Sequence, residues 1–211
     1  KRTIAFGGRI LPQYDDGHAG KYLNSNESPV FRKHREVYGL DVAGEAIGKA
    51  QRTAVLVEGY TDVIMAHQFG LTNVVAALGT SVTPEHIAQR SVLRRYADRV
   101  VLLLDGDNAG QNKAASLVKM FVAEDADLRI ASLFGGLDPC DFLLERGAEA
   151  LREIIDQSVD ALEFHIRAVQ AGLDLDRDTF AASKALESIL GVLALAPQSG
   201  AQSGPSGASA A

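Results

Sequence analysis

Three acids have the types and spacing to do chemistry. Glu58 stands in Val57-Glu58-Gly59-Tyr60-Thr61-Asp62, and Asp105 and Asp107 stand in Leu104-Asp105-Gly106-Asp107-Asn108-Ala109-Gly110. Each group follows a short apolar run that reads as a strand. Two aspartates two residues apart, leaving a strand, aim both carboxylates into one cleft. Clustered carboxylates repel unless they are protonated or bridged by a cation, and hard oxygen donors with room for water suit Mg²⁺. Gly106 and Gly110 leave the backbone free to turn sharply and to admit a phosphate. The competing structural role for the two aspartates is capping and turn formation. By spacing alone, the three acids predict a metal site for phosphoryl transfer.

These acids need elements to position them. From Ala54 onward, short apolar runs alternate with longer helical stretches. Ala54–Val57, Val74–Ala77, Val100–Leu104 and Leu128–Leu133 read as strands, Ala54–Val57 as a buried one, and the continuous apolarity of Val100–Leu104 predicts burial on both faces. Thr61–Gln68 reads as a helix closed by Gly70. Thr83-Pro84-Glu85 is a strong helix start, with an N-cap, a proline and an acid in order, and predicts a helix to about Ala97. A further helix is expected over Ala109–Ala123. Strands alternating with crossover helices predict an α/β fold with a mostly parallel sheet. That places both acidic groups at strand C-termini, where open α/β sheets bind ligands. Thr3–Phe6 and Arg9–Leu11, on either side of Gly7-Gly8, predict a small β element in front. Ala148–Asp156, Asp160–Ala171 and Thr179–Leu195 predict helices behind. From Pro197 the chain is rich in Gly, Ser, Ala and Gln and reads as a disordered tail.

Bulk properties exclude several classes. Hydrophobic residues make up 46% and charged residues 23% of 211 residues, the range of a globular protein. No apolar run approaches the roughly 18 residues that span a bilayer, and no signal peptide is visible, so no membrane partner is expected. The chain opens on Lys1, not Met, which points to a piece of a longer protein. Cys140 is the single cysteine, so an intrachain disulfide and a zinc site built from cysteines are both excluded, and a reducing cytoplasm fits. A catalytic thiol at Cys140 would need a basic partner that the sequence does not identify. The five histidines show no metal-ligand spacing. The net charge of −6 divides unevenly: residues 1–54 carry nine Lys/Arg against six Asp/Glu, and residues 55–211 carry twelve against twenty-one. A basic segment in front of an acidic body can grip phosphates while the body holds metal.

Other families use parts of this pattern. An Asp-x-Asp after a strand also begins haloacid-dehalogenase phosphatases, but there it follows the first strand, whereas Glu58 here precedes it by 47 residues. The EF-hand loop fails because Ala109 and Ser116 stand where ligands belong. A Glu on one strand and an Asp-x-Asp two strands later resembles the Toprim domain of primases, topoisomerases and related nucleases. Phe6-Gly7-Gly8-Arg9, Lys21-Tyr22-Leu23-Asn24-Ser25, Phe31-Arg32-Lys33, Tyr38-Gly39-Leu40, Glu58–Asp62 and Asp105–Gln111 then occur in order. Together they resemble the catalytic core of bacterial DnaG-type primases, over roughly residues 2–150.

The resemblance implies a Toprim-type, mostly parallel sheet flanked by helices, preceded by a small basic β-containing segment and followed by a helical bundle. Its divisions fall at residues 1–50 for part of the N-terminal basic subdomain, 51–147 for the Toprim domain, 148–196 for the helical subdomain and 197–211 for the tail. It implies that Glu58, Asp105 and Asp107 are the central metal acids and that Asp62 is a further acid of that pocket. Asp138 matches the first acid of the family's Asp-Pro-Asp segment. Here the chain reads Asp138-Pro139-Cys140-Asp141, so Asp141 enters the ligand set one position late. Arg9, Lys21, Tyr22, Asn24, Arg32 and Lys33 match the nucleic-acid and nucleotide surface.

The implied activity is RNA primer synthesis on single-stranded DNA from ribonucleoside triphosphates, with two or more Mg²⁺ or Mn²⁺ ions. The residues leave open whether Glu58 is a ligand or takes the proton. The implied setting is the bacterial cytoplasm, at the nucleoid-associated replication machinery. The replicative helicase would be a partner through a C-terminal domain that these residues do not contain. A Toprim nuclease, or a module that binds metal and nucleotide with little synthesis, is kept as an alternative. Topoisomerase chemistry needs a tyrosine nucleophile on a separate large domain, and the residues after Asp141 do not provide one.

Overall fold

The computed structural model describes residues 2–14, 17, 22–78, 82–88, 91–106, 117, 118, 122, 126–171 and 179–195. Asp107, Lys21 and the expected tail 197–211 lie outside the described residues, as does most of the expected helix Ala109–Ala123. Of that helix, residues 117, 118 and 122 are described as helical, and Leu117 and Val118 are buried.

The strands are β1 Gly7–Arg9, β2 Tyr22–Asn24, β3 Val37–Tyr38, β4 Thr53–Val57, β5 Val74–Ala77, β6 Arg99–Leu104, β7 Asp127–Ser132 and β8 Val159–Asp160. Among the described residues, β3 to β8 form one six-stranded sheet in the order β3-β5-β4-β6-β7-β8. The four central strands are parallel, and the two-residue strands at either edge are antiparallel. This is the expected mostly parallel α/β sheet.

Alternation along each strand builds two cores, because successive side chains point to opposite faces. Leu56, Val75, Ala77, Val100, Leu102 and Leu104 enter one apolar cluster, while Val55, Val57, Val74, Ala76, Val101 and Leu103 enter the other. The first face is covered by α1 (Leu40–Lys49) and α3 (Pro84–Ile87). The second is covered by α2 (Tyr60–Gln68) and α4 (Pro139–Asp156). The helical stretch behind also packs on the sheet: Ala161 of α5 (Ala161–Gln170) and Val192 of α6 (Thr179–Leu193) join the first cluster. Between them and α4, β8 extends the sheet beside β7.

Three expectations need correction. The helix expected over Thr83–Ala97 is a single turn, Pro84–Ile87, followed by a separate 3-10 turn at Leu93–Arg95. Ile87 and Leu93 are both fully buried. On one straight helix, six residues place them about 120° apart around the axis. The break brings both into one core, and Ser91 Oγ accepts from Arg94 N–H at 3.2 Å to start the second turn. In the front segment, the β element expected from Thr3–Phe6 and Arg9–Leu11 centres instead on the glycines between them. Gly7 and Gly8 are themselves in β1, paired antiparallel to β2 with Gly7 opposite Asn24 and Arg9 opposite Tyr22. The glycine at position 7 serves close approach, since a Cβ there would stand 3.1 Å from Asn24 Oδ1 and 3.3 Å from the Tyr60 ring. Finally, the helix expected to begin at Ala148 is the second limb of α4. Gly147, at φ 79°, kinks the element, and the first limb begins at Pro139.

Helix α1 was not expected, although Leu40, Ala43 and Ile47 face the core at helical spacing. It is joined to β4 by Gln51 and Arg52, both at positive φ. Arg52 fastens that turn: its carbonyl accepts from Asp98 and Arg99 N–H, and its Nε donates to Asp98 Oδ2 at 2.7 Å.

Candidate nucleic-acid and metal site

Strand order decides which acids meet. From β4 the chain moves to β5 on one side, then returns to β6 on the other. The sheet therefore reverses direction between β4 and β6, the switch point at which parallel sheets open a crevice beyond their C-termini. Glu58 follows β4 and Asp105 follows β6, two neighbouring parallel strands whose ladder ends with Leu56 opposite Leu102. Both acids are partly exposed there.

Asp62 sits in the first turn of α2 and is only 9% exposed. Burial drives its pKa up to about 7, and the charges of Asp138 and Asp105 push the same way. Backbone N–H groups of Gly59 and Cys140 bond its carboxylate and oppose the shift without cancelling it. A carboxyl held partly neutral by burial, and secondarily by two neighbouring carboxylates, is the kind of perturbation found in functional clefts.

Asp138 has a structural duty as well. It is the N-cap of α4, and its Oδ1 accepts from Asp141 N–H at 2.8 Å. Pro139 at the first helical position completes this start. Asp141 itself is exposed in the first turn. Asp62, Asp105 and Asp138 thus share one electrostatic field, whereas Asp141 bears on Cys140, whose thiol is pushed up chiefly by burial and then by Asp138, Asp62 and Asp141. Among the described residues no group of three His, Cys, Asp or Glu side chains is close enough to hold one ion.

The strand ends are fixed by glycines. A Cβ on Gly106 would stand 2.9 Å from the Phe134 carbonyl carbon. Its absence lets Gly106 N–H donate to Leu137 carbonyl at 3.0 Å and Gly136 N–H donate to Gly106 carbonyl at 3.2 Å. The β6 exit is thereby laced to the loop that leads to Asp138. Gly106 is expected from the sequence to allow turning and phosphate approach; close backbone packing also requires it.

The front ribbon docks on the loop after β4. Tyr60, held as a phenol by burial, donates to Gly8 carbonyl at 2.7 Å. Its ring meets Tyr22 edge-on, with centroids 5.0 Å apart, and Tyr38 at 5.6 Å. Tyr22 Oη and Thr61 Oγ1 are 3.0 Å apart, and Asn24 Nδ2 donates to Leu78 carbonyl at 3.1 Å. Arg9 stacks over Tyr22 at 5.5 Å, with its guanidinium exposed. Its positive charge reaches Tyr60 and Cys140. Arg9, Tyr22 and Asn24 are therefore brought to the Glu58–Asp62 junction between β4 and α2. Arg32 and Lys33 lie on a separate turn, residues 31–36, anchored by buried Phe31 against Tyr60 and Leu78. In the sequence Tyr60 stands out only as part of a motif, and in the fold it joins ribbon to sheet. A cleft lined by Ala46, Lys49, Leu71, Asn73, Arg152 and Ile155 opens at the opposite end of the strands, away from these acids.

Comparison with known proteins agrees with this arrangement. Residues 55–143 match the Toprim-like family, and residues 1–44 match the N-terminal domain of the DNA primase catalytic core. The chain is 36% identical over 202 residues to the DNA primase of Streptomyces coelicolor, covering 95% of this chain and 31% of that protein. It is 39% identical over 178 residues to the DNA primase of Halalkalibacterium halodurans, covering 84% and 28%. A DNA primase domain from Pseudomonas aeruginosa superposes with a TM-score of 0.78 at 34% identity, over 92% of this chain and 59% of that one. A DnaG primase catalytic domain bound to single-stranded DNA superposes with a TM-score of 0.77 at 32% identity, over 93% and 60%. The chain spans about a third of the length of the curated relatives and about three fifths of the solved cores. With both matched segments in order and the same fold, the chain belongs to the family of bacterial DnaG-type primase catalytic cores.

Proposed function

We propose that this chain carries the polymerising centre of a primase, which joins ribonucleotides into a short RNA primer on single-stranded DNA. The observation that supports this best is the docking of a basic ribbon onto an acidic strand end. Through Tyr60 and Tyr22, Arg9 and Asn24 are held beside the β4–α2 junction that bears Glu58 and Asp62. A single-stranded template would take its phosphates from Arg9, Lys21, Arg32 and Lys33, and a base or sugar edge from Asn24, with Tyr22 as a stacking face.

Glu58, Asp105 and Asp107 are the proposed principal metal ligands, with Asp62 and Asp138 beside them and Asp141 at the margin. An all-carboxylate donor set fits the hard cations Mg²⁺ and Mn²⁺, and Asp138 and Asp105 add to the burial that lifts the Asp62 pKa to about 7. Two or more such ions would offset the charge of a triphosphate and of the pyrophosphate that leaves it. The chain's own part is positional. The lacing of Gly106 to the 134–137 loop holds Asp105, and the α4 cap holds Asp138, so neither moves as charge develops. Glu58 is placed to be a ligand or to take the primer hydroxyl proton.

The division of labour follows the divisions at about residues 50, 147 and 196: grip in front, chemistry in the middle and support behind. The replicative helicase as partner and the bacterial cytoplasm, at the replication machinery, are the setting this reading implies. The test is template-dependent ribonucleotide incorporation with Mg²⁺ or Mn²⁺. Asp105→Ala and Asp107→Ala should each abolish synthesis while leaving the thermal midpoint within a few degrees. Synthesis at wild-type rate by either variant would overturn the assignment.

A further inference from the structure

His86 is a fully buried histidine that the polymerising chemistry does not use. It occupies the third helical position after the cap Thr83, where a capping box normally has Glu or Gln. Thr83 N–H donates to His86 Nδ1 at 3.0 Å, and His86 N–H donates back to Thr83 carbonyl at 3.1 Å. Unlike Glu, the ring has a second polar atom, and it faces the front segment: Nε2 lies 3.2 Å from Lys33 carbonyl. Beside it, Thr83 Oγ1 donates to His34 carbonyl at 3.1 Å.

The partners dictate the tautomer. A backbone N–H can only donate, so Nδ1 must accept; a carbonyl can only accept, so Nε2 must carry the proton. The neutral ring therefore joins two elements that are 53 residues apart. The clasped turn is the one that displays Arg32 and Lys33. Phe31 anchors its start in the Tyr60–Leu78 cluster, and β3 anchors its end beside β5. The carbonyls of residues 33 and 34 are drawn inward, while the Arg32 side chain is exposed and that of Lys33 half-buried.

We propose that His86 is a positioning residue for template binding, which as a neutral ring fixes the Arg32–Lys33 turn against the sheet. This rests on the reading of that turn as nucleic-acid surface. Protonation would turn an Nδ1–H toward Thr83 N–H and break the bond between them, and Thr83 Oγ1, 3.0 Å from Nδ1, would be the remaining acceptor. Burial holds the ring neutral by lowering its pKa. Glu85 on the same helix favours the charged form, and His34 on the facing turn opposes it.

The experiment measures binding of a fluorescein-labelled 20-nucleotide single-stranded DNA to the whole chain, across salt concentration and from pH 7.5 to 5.5. His86→Ala, which loses both bonds, should weaken binding about fivefold to tenfold at pH 7.5. It should also make the log–log salt slope shallower by roughly 0.7 to 1.4, the loss of one or two phosphate contacts. His86→Gln can still donate to Lys33 carbonyl and should bind within about twofold of wild type. In the Arg32→Ala/Lys33→Ala background, His86→Ala should add less than about twofold, because the same contacts are already gone. As the pH falls past the lowered pKa of the ring, the ratio of wild-type to His86→Gln affinity should fall. His34, paired with Glu27 at 3.4 Å, is present in both proteins and cancels in that ratio.

A folded His86→Ala with wild-type affinity and slope overturns the proposal, as does full weakening in the double-mutant background. If His86→Ala does not fold, identical pH profiles for wild type and His86→Gln overturn it. Absence of binding by the wild-type chain overturns the primase reading itself, and the role of His86 with it.

Discussion

A Cβ on Gly59 would stand 2.7 Å from Asp62 Oδ2. Gly59 is the residue before α2, in extended conformation at φ −107° and ψ 144°, so its backbone would accept any side chain. What excludes one is the Asp62 carboxylate, folded back over the helix start to take the Gly59 N–H. The glycine of the Glu58-Gly59-Tyr60 run thus provides a seat for a buried acid, close to the β4 terminus that carries Glu58.

Gly59→Ala should therefore displace Asp62 without straining the main chain. The expected cost is about 1 kcal/mol of stability, since the intruding methyl must move one side chain. Primer synthesis should fall about tenfold to a hundredfold, the scale of a 1 Å misplacement in an active site. A thermal melt beside an incorporation assay measures both, and unchanged synthesis would refute the seating role.

Asp62 also makes metal-free stability depend on pH. Its folded pKa of about 7 lies above the unfolded value of 3.8, so the folded state holds the extra proton between them. Its contribution to stability is complete below about pH 4, declines as pH rises to 7, and is lost above. In EDTA, Asp62→Asn should flatten that decline and be more stable than wild type at pH 8 by on the order of 1–3 kcal/mol. Denaturant melts at pH 5 and pH 8 test this; equal pH dependence in the two proteins contradicts it.

Magnesium should act in the opposite sense on the same group. A cation in the proposed site, bound near Asp105, would favour the charged form of Asp62, so binding must release protons and weaken in acid. The rise in thermal midpoint on adding Mg²⁺ should be larger at pH 8 than at pH 5.5, and Asp62→Asn should reduce the difference. A rise that is independent of pH would place the ion elsewhere.

Gly106→Ala is expected to be more damaging to the fold than Gly59→Ala. Its new methyl would meet backbone of residues 134–136, which cannot rotate away as a side chain can. A loss of about 1–3 kcal/mol is expected, with amide exchange accelerated at Gly106 and Gly136 as their bonds open. Unchanged exchange there would refute the lacing of the β6 exit to the 134–137 loop.

Tyr60→Phe removes the hydroxyl that holds Gly8 and leaves the three-ring contact in place. Global stability should fall by only about 0.5–1.5 kcal/mol. Template binding should nevertheless weaken a fewfold, because β1 and its Arg9 lose their tie to α2. Limited proteolysis of the front ribbon should speed up relative to the sheet, and equal rates in both proteins would count against the docking.

The sequence alone determined the element types where periodicity is strong. The runs at residues 54–57, 74–77, 100–104 and 128–133 read as strands, and the two-sided burial expected of 100–104 is what the alternating cores display. It also located Glu58 and Asp105 at strand ends and tied residues 6–111 to a family through ordered blocks. Strand order was beyond it, because pairing between parallel strands is set by packing across distances the local pattern does not encode. Only the tertiary structure places β4 beside β6, so that Glu58 and Asp105 leave neighbouring strands at the reversal of the sheet. Likewise, a histidine at position 86 reads as an ordinary helix residue. Its two hydrogen bonds exist because a break after Ile87 and a turn 53 residues earlier meet at one buried ring. Asp62 is the sharpest case, since its place in the sequence was visible and its charge state was not. That state depends on burial and on carboxylates arriving from β6 and from the cap of α4, which only the folded chain assembles.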